Sequence, residues 1–150
     1  LKPPPDPVLA SHIVWFDAFI TNVDRTPSNV NLLIWQEQLW LIDHGASLYF
    51  HYSWDDYLER SQSPFAMIKD HTLLSFASKL EEATQTLPMQ LNEAIFREIV
   101  DALPDVWLEG ETDFPSLEAH RTAYVDYLVN RLNASSIFVE EAQRARSRLV

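Results

Sequence analysis

The sequence predicts a mainly α-helical domain that carries one small β-hairpin. Two short runs of β-branched and aromatic residues, 32–35 and 39–42, are separated by only a few polar residues, as in a hairpin. Through most of the remaining chain, apolar residues recur three and four positions apart, which is the spacing of a helix face. Hydrophobic residues make up 47 % of the 150, which is enough to form the core of one domain.

The first predicted element is a buried helix. Residues 1–7 are rich in proline and predict an extended linker, in which Asp6 caps the helix and Pro7 lies in its first turn. Residues 8–21 predict the helix itself, and its apolar side chains cover most of the circumference, as in a helix buried on all sides. Asp17 interrupts this surface, so we expect it to face solvent or to pair with a buried partner.

A loop and the hairpin follow this helix. Residues 22–29 show no periodicity and predict a loop. Residues 31–35 and 38–42 predict two strands joined by Gln36 and Glu37, and the second strand is expected to be buried on both faces. The chain is then expected to turn sharply after the second strand, where a glycine occurs.

The rest of the chain predicts helices. Their expected ranges are 54–60, 71–83, 88–103, 117–132 and 138–148. Four tryptophans are expected in the core rather than on a surface that stacks nucleic-acid bases: Trp15, Trp35, Trp40 and Trp54.

The composition excludes several classes of protein. The net charge is −11 with only three lysines, whereas a nucleic-acid or anionic-membrane surface needs many cations. The absence of cysteine excludes a disulfide scaffold and a cysteine-based zinc site. No apolar run approaches the length of a membrane span. We therefore expect a cytoplasmic protein with no direct nucleic-acid or membrane partner.

The glycine content limits how the chain could bind a nucleotide. Only two glycines occur, Gly45 and Gly110, so a glycine-rich phosphate-binding loop cannot be built from these residues. If the protein binds a nucleotide, the loop that covers the phosphates must come from elsewhere. We therefore expect this chain to be a fragment of a longer protein.

Two acids and two amides surround the predicted hairpin. Asn29 follows Asp24 by five residues, and Asp43 comes directly after the second strand. Phosphoryl transfer needs an in-line hydroxyl, a proton acceptor and cations on the phosphates. Asp24 is a candidate proton acceptor, and Asn29 and Asp43 offer the oxygen ligands that Mg²⁺ prefers. Asn31 is a second amide within reach, so which amide binds the metal stays open.

Each of these residues also has a simpler interpretation. Asp24 and Asn29 are both compatible with ordinary turn chemistry, and Asp43 with a carboxylate at a strand end. Arg25 is expected to pair with a carboxylate or with the loop backbone, and His44 to make a local hydrogen bond.

The strings NVDRTPSNVNLL and LWLIDHGASLYFH resemble the HipA-like kinases, a group of the protein-kinase-like superfamily. The order of Asp, Asn, hairpin and Ile-Asp-His-Gly is also similar to that of lipid kinases and aminoglycoside phosphotransferases. The resemblance implies a kinase-like C-terminal helical lobe, with the nucleotide-binding N-terminal lobe absent. His44 departs from the pattern, because many kinases carry an aromatic residue there.

The resemblance implies specific roles. Asp24 would be the catalytic base or the acid that orients the nucleophile, and Asn29 and Asp43 would bind Mg²⁺ and, through it, ATP. The intact protein would be an ATP-dependent kinase that acts on a hydroxyl of a protein Ser/Thr or of a small molecule, whereas the fragment alone would be inactive. Two alternatives stay open: an inactive kinase-like scaffold that docks a partner protein, and an unrelated helical domain with a chance motif.

Overall fold

The computed structural model describes residues 4–150, so the first three residues of the predicted linker lie outside the described part. Within this part there are seven α-helices and one two-stranded antiparallel sheet, which confirms a mainly helical fold with a hairpin. None of the helices in residues 4–150 is long and apolar enough to cross a membrane. The elements are α1 (Pro7–Phe19), β1 (Leu32–Trp35), β2 (Gln38–Leu41), α2 (Tyr57–Arg60), α3 (Leu80–Thr86), α4 (Glu93–Asp101), α5 (Asp105–Leu108), α6 (Leu117–Asn133) and α7 (Ser135–Arg146), with short 3₁₀ turns at Tyr49–Tyr52, Ala66–Asp70, Leu74–Phe76 and Pro88–Gln90.

Helix α1 begins as the sequence predicts. Oδ1 of Asp6 accepts hydrogen bonds from the backbone N–H groups of Val8 at 3.0 Å and Leu9 at 2.9 Å. Pro7 occupies the first turn, where its missing N–H costs no helical hydrogen bond, so it belongs to the helix and not to a linker. Most side chains of α1 are buried, as its apolar circumference predicts.

The main hydrophobic core surrounds α1. This helix packs against α3 and α7, while α6 packs against α4. The Trp15 ring lies at the centre, with ring centroids 5.4 Å from Phe19 and 5.5 Å from Phe138. A second apolar cluster around Phe50 and Trp54 packs on α6. Val23, in the loop that follows α1, packs against the main core.

The hairpin forms with the predicted turn. Leu32 pairs with Leu41, and the ladder closes at Trp35 and Gln38. Gln36 and Glu37 have φ values of 50° and 63°, the left-handed pair typical of a tight two-residue hairpin turn.

The hairpin is more exposed than expected. Trp35 is 56 % exposed and Trp40 45 % exposed, so two of the four tryptophans expected in the core lie at the surface. Trp15 and Trp54 are buried, as expected. The expectation that the second strand is buried on both faces is also wrong, because a two-stranded ribbon packs only one face on the helices.

The segment predicted as one helix over 71–83 is divided. The 3₁₀ turn at Leu74–Phe76 comes first, and α3 begins only at Leu80. Two backbone N–H groups are diverted from helical pairing here: that of Leu73 donates to Nδ1 of His71 at 3.0 Å, and that of Lys79 donates to Oγ of Ser11 at 2.9 Å. Side chains distant in sequence therefore override the local periodicity.

Candidate active site

The structure brings Asp24 together with both amides. Nδ2 of Asn29 donates to Oδ2 of Asp24 at 2.8 Å, and Nδ2 of Asn31 donates to the same oxygen at 3.3 Å. The backbone N–H of Asp24 donates to Oδ1 of Asn22 at 3.1 Å. Among the described residues, Oδ1 of Asp24 receives no hydrogen bond. One carboxylate oxygen is therefore held by amides, and the other is available to a ligand.

A tight turn creates this contact. Thr26 and Asn29 exchange both backbone hydrogen bonds, at 3.0 and 3.1 Å, so the chain folds back across Pro27 and Ser28. Proline fixes the backbone angle that such turns need. Because Nδ2 of Asn29 bonds Asp24, its amide oxygen is directed elsewhere, and the residue is exposed. Asn29 can therefore hold the base and still offer an oxygen to a cation.

Asp43 lies at the open end of the hairpin. The backbone N–H of Ile42 donates to the carbonyl of Asn31 at 3.1 Å, which extends the ladder by one pair, and Asp43 follows directly after this pair. Asp43 is exposed and has a left-handed φ of 52°. Within residues 4–150 its carboxylate accepts no hydrogen bond, so it too is available to a cation.

Arg25 connects the two acidic positions. Its Nη2 lies 3.2 Å from Nε2 of His44, and its Nη1 donates to the carbonyl of Asn31. The residue after Asp24 is therefore bonded to the residue after Asp43. Because a guanidinium only donates, Nε2 of His44 is the acceptor. Both Arg25 and His44 make the local contacts that the sequence predicts.

The buried carboxylate of Asp17 holds the loop that carries Asp24. Asp17 is 0 % exposed, and it accepts hydrogen bonds from Nε of Arg25 at 2.5 Å, Nε2 of His71 at 2.9 Å and Nδ2 of Asn22 at 3.0 Å. Burial alone would raise the pKa of the Asp17 carboxyl, but hydrogen bonds from His71 and Arg25 outweigh burial and lower this pKa. Asp17 thus has a buried partner, one of the two alternatives that the sequence leaves open.

His71 is a structural residue that the sequence did not reveal. Its Nδ1 accepts the backbone N–H of Leu73, so Nδ1 carries no proton and Nε2 donates to Asp17. The backbone N–H of Thr72 donates to the carbonyl of Arg25 at 2.9 Å, which fixes the same segment to the loop. No signal in the sequence marks this role, because His71 lies at the start of the helix predicted over 71–83 and 54 residues from its partner.

Backbone strain is concentrated around the site. Six of the eight non-glycine residues with positive φ in residues 4–150 fall between 21 and 48: Thr21, Asn31, Gln36, Glu37, Asp43 and Leu48. For β-branched or bulky residues such as Thr21 and Leu48 this conformation is unfavourable, and it persists only where the surroundings impose it. Here the backbone N–H groups of Val23 and Leu48 donate to the carbonyls of Ala46 and Ile20 at 3.2 and 2.8 Å.

The donor set is chemically specific. In residues 4–150 no three His, Asp or Glu side chains lie close enough together to hold a metal by themselves. Asp43 and Asn29 instead offer one carboxylate oxygen and one amide oxygen at the surface. Such a set suits a hard cation that takes its remaining ligands from phosphates and water.

Comparison with protein families identifies the chain. The model of the HipA-like kinase family matches residues 6–139, which span α1 to α6, part of α7 and every candidate residue above. Comparisons with curated proteins and with solved structures gave no match. Because the match covers most of the sequence, the chain belongs to the HipA-like kinase family, and with it to the kinase-like superfamily.

Proposed function

We propose that the intact protein is an ATP-dependent phosphotransferase that moves the γ-phosphoryl group to a hydroxyl, with a protein Ser/Thr as the favoured acceptor. The observation that carries the proposal is the convergence at the open end of the hairpin. Asp24 is held by Asn29 at 2.8 Å, while their neighbour Arg25 bonds His44 beside Asp43. Membership of the HipA-like kinase family supports the same assignment.

The residues present fit a magnesium ion. We assign the carboxylate of Asp43 and the amide oxygen of Asn29 as its ligands, because both are exposed and neither oxygen has another partner within residues 4–150. A Cβ at position 45 would lie 3.5 Å from Oδ1 of Asp43. Because Gly45 has no Cβ, the space beside this oxygen stays open. When bound, Mg²⁺ supplies positive charge to the phosphate oxygens and fixes their position.

Asp24 is assigned as the catalytic base. In the transfer, the acceptor oxygen forms a bond to the γ-phosphorus, the bond from that phosphorus to the bridging oxygen of ADP breaks, and Oδ1 of Asp24 takes the hydroxyl proton. The amides of Asn29 and Asn31 hold Oδ2, so the carboxylate keeps its orientation during the reaction. A positioned base of this kind contributes about 10²–10⁴-fold to the rate.

The test is Asp24→Asn in the full-length protein. We expect the rate of phosphoryl transfer from ATP to fall by about 10²–10⁴-fold, because the amide cannot accept the proton. Asp101→Asn is the matched control, since Asp101 is exposed at the end of α4 and its carboxylate accepts no hydrogen bond among the described residues. A wild-type rate in the Asp24→Asn protein would refute the assignment.

A further inference from the structure

A cavity of about 180 Å³ opens beside the loop that carries Asp24. Thr21 and Val23, three and one residues before Asp24, contribute one wall, and Tyr49 and Phe50 from the segment after Asp43 contribute another. Pockets that enclose a whole small molecule typically measure about 300–1,000 Å³. The cavity is therefore sized for a side chain or a single functional group rather than for a nucleotide.

One arginine without a carboxylate partner among the described residues lines this cavity, and a second such arginine bonds a residue of its wall. Arg60 lines it, and its Nη2 donates to the carbonyls of Phe50 and Ser53. Arg131 is 0 % exposed and also donates only to carbonyls, including that of Ser63 in the cavity wall. Four other arginines form ion pairs with carboxylates: Arg25, Arg97, Arg121 and Arg144. In a chain of net charge −11, the cavity is thus a locally positive site.

Tyr127 adds a neutral donor to the wall. Its ring stacks on Phe50 with centroids 3.5 Å apart, and its hydroxyl has no hydrogen-bond partner within residues 4–150. Burial raises the pKa of the Tyr127 hydroxyl, although Arg131 and Arg60 both act in the opposite direction. The hydroxyl is therefore a donor at neutral pH. No Asp or Glu lines the cavity. This combination of donors suits an oxyanion.

We propose that the cavity binds a carboxylate or phosphate group of the phosphoryl acceptor, so that the enzyme selects Ser/Thr peptides with an acidic group near the target hydroxyl. The proposal rests on the function proposed above, because it places the acceptor beside Asp24. The cavity adjoins the loop that carries Asp24, because Val23 in its wall is the residue before Asp24. Arg60 and Tyr127 are the residues that would contact the anion.

The experiment uses the full-length protein and three Ser-containing peptides that differ at one flanking position: alanine, glutamate or phosphoserine. We expect KM to be about tenfold lower for at least one acidic peptide than for the alanine peptide. The acidic peptide with the lower KM shows whether the cavity prefers a carboxylate or a phosphate. Arg60→Gln should abolish this difference, and Tyr127→Phe should reduce it several-fold. Arg144→Gln, an exposed substitution of equal charge on α7, should preserve it. Equal KM values for all three peptides, or an undiminished preference in Arg60→Gln, would overturn the proposal.

A binding measurement separates this proposal from the proposed function. The glutamate and phosphoserine peptides are titrated into the Asp24→Asn protein by calorimetry, with and without Arg60→Gln. If no peptide is phosphorylated by the wild type but an acidic peptide binds about tenfold more weakly after Arg60→Gln, the cavity assignment stands and the kinase assignment fails. If peptides are phosphorylated but neither binding nor KM responds to Arg60→Gln, only the cavity assignment fails.

Discussion

Asp17 in α1 and Arg25 in the loop that carries Asp24 form an ion pair, with Nε of Arg25 2.5 Å from Oδ2 of Asp17. Neither side chain is exposed to solvent. The pair connects the central helix of the core to the residue that follows Asp24. Asn22, which also bonds Asp17, accepts the N–H of Asp24. The loop is therefore fixed on both sides of the base by one carboxylate.

Removing the charge of Asp17 should destabilise the protein. Asp17→Asn leaves the Arg25 guanidinium buried without a counter-charge, and breaking a buried pair in this way typically costs about 3–5 kcal/mol. The free energy of unfolding, measured by urea denaturation, is the readout. Asp101→Asn, which removes an exposed carboxylate, should change it by less than about 0.5 kcal/mol. A loss below about 1 kcal/mol for Asp17→Asn would show that the pair is not anchoring the loop.

The same carboxylate should make stability sensitive to acid. The pKa of Asp17 is below its ordinary value of 3.8 in the folded protein, so the unfolded chain binds this proton first. The stabilisation is complete above that ordinary value and is lost as the pH falls through the folded pKa. Denaturation between pH 7 and pH 2 should therefore show a steeper loss below about pH 4 in wild type than in Asp17→Asn. Parallel curves for the two proteins would contradict this expectation.

Arg131 should be a second essential anchor. It donates to the carbonyls of Ala18, Phe19 and Ser61 at 2.5, 2.7 and 2.9 Å, so it caps the end of α1. Burial lowers the pKa of its guanidinium to about 10, which still leaves it charged at neutral pH. Arg131→Met should lower the unfolding free energy by about 3 kcal/mol or more, because several buried carbonyls lose their donor.

Two comparisons make the Arg131 prediction specific. Arg131→Lys keeps the charge but cannot reproduce the planar set of donors, so it should recover only part of the loss. Arg97→Met disrupts a largely exposed pair with Glu118 and should cost less than about 1 kcal/mol. If Arg131→Lys unfolds at the same urea concentration as wild type, charge alone explains the anchor and the donor geometry does not matter.

Gly45→Ala should weaken binding of the proposed cation without destabilising the fold. The new Cβ would lie 3.5 Å from Oδ1 of Asp43, an ordinary contact, and φ at Gly45 is not in the left-handed region. We expect the unfolding free energy to change by less than about 1 kcal/mol. On the proposed function, the Mg²⁺ concentration for half-maximal phosphoryl transfer should rise several-fold, because the methyl crowds the ligand oxygen. An unchanged Mg²⁺ dependence would mean that this oxygen is not the ligand.

The features that the sequence predicted correctly are local. The hairpin turn at Gln36 and Glu37 depends on adjacent residues, so predicting it requires no knowledge of the distant chain. The helix start at Asp6 and Pro7 was predictable for the same reason.

The features that the sequence did not predict join distant residues. His71 reaches Asp17 across 54 positions, and Arg131 reaches Phe19 across 112. Periodicity gives no information about such pairs, because each is fixed by how the helices pack. Trp35 and Trp40 were assigned to the core on residue type alone, whereas their exposure depends on the hairpin having no further strand or helix over it in residues 4–150.

The reach of Arg131 has a consequence for how the protein is made. Its carbonyl partners at the end of α1 are synthesised more than a hundred residues before it, so the ribosome must release α6 before the helix that leads to Asp24 is capped. Contacts of such long sequence separation carry a large loop-closure entropy, which slows folding. During translation the end of α1 therefore stays without this cap until α6 has emerged, whereas the bonds from Asn22 and Arg25 to Asp17 join residues at most eight positions apart.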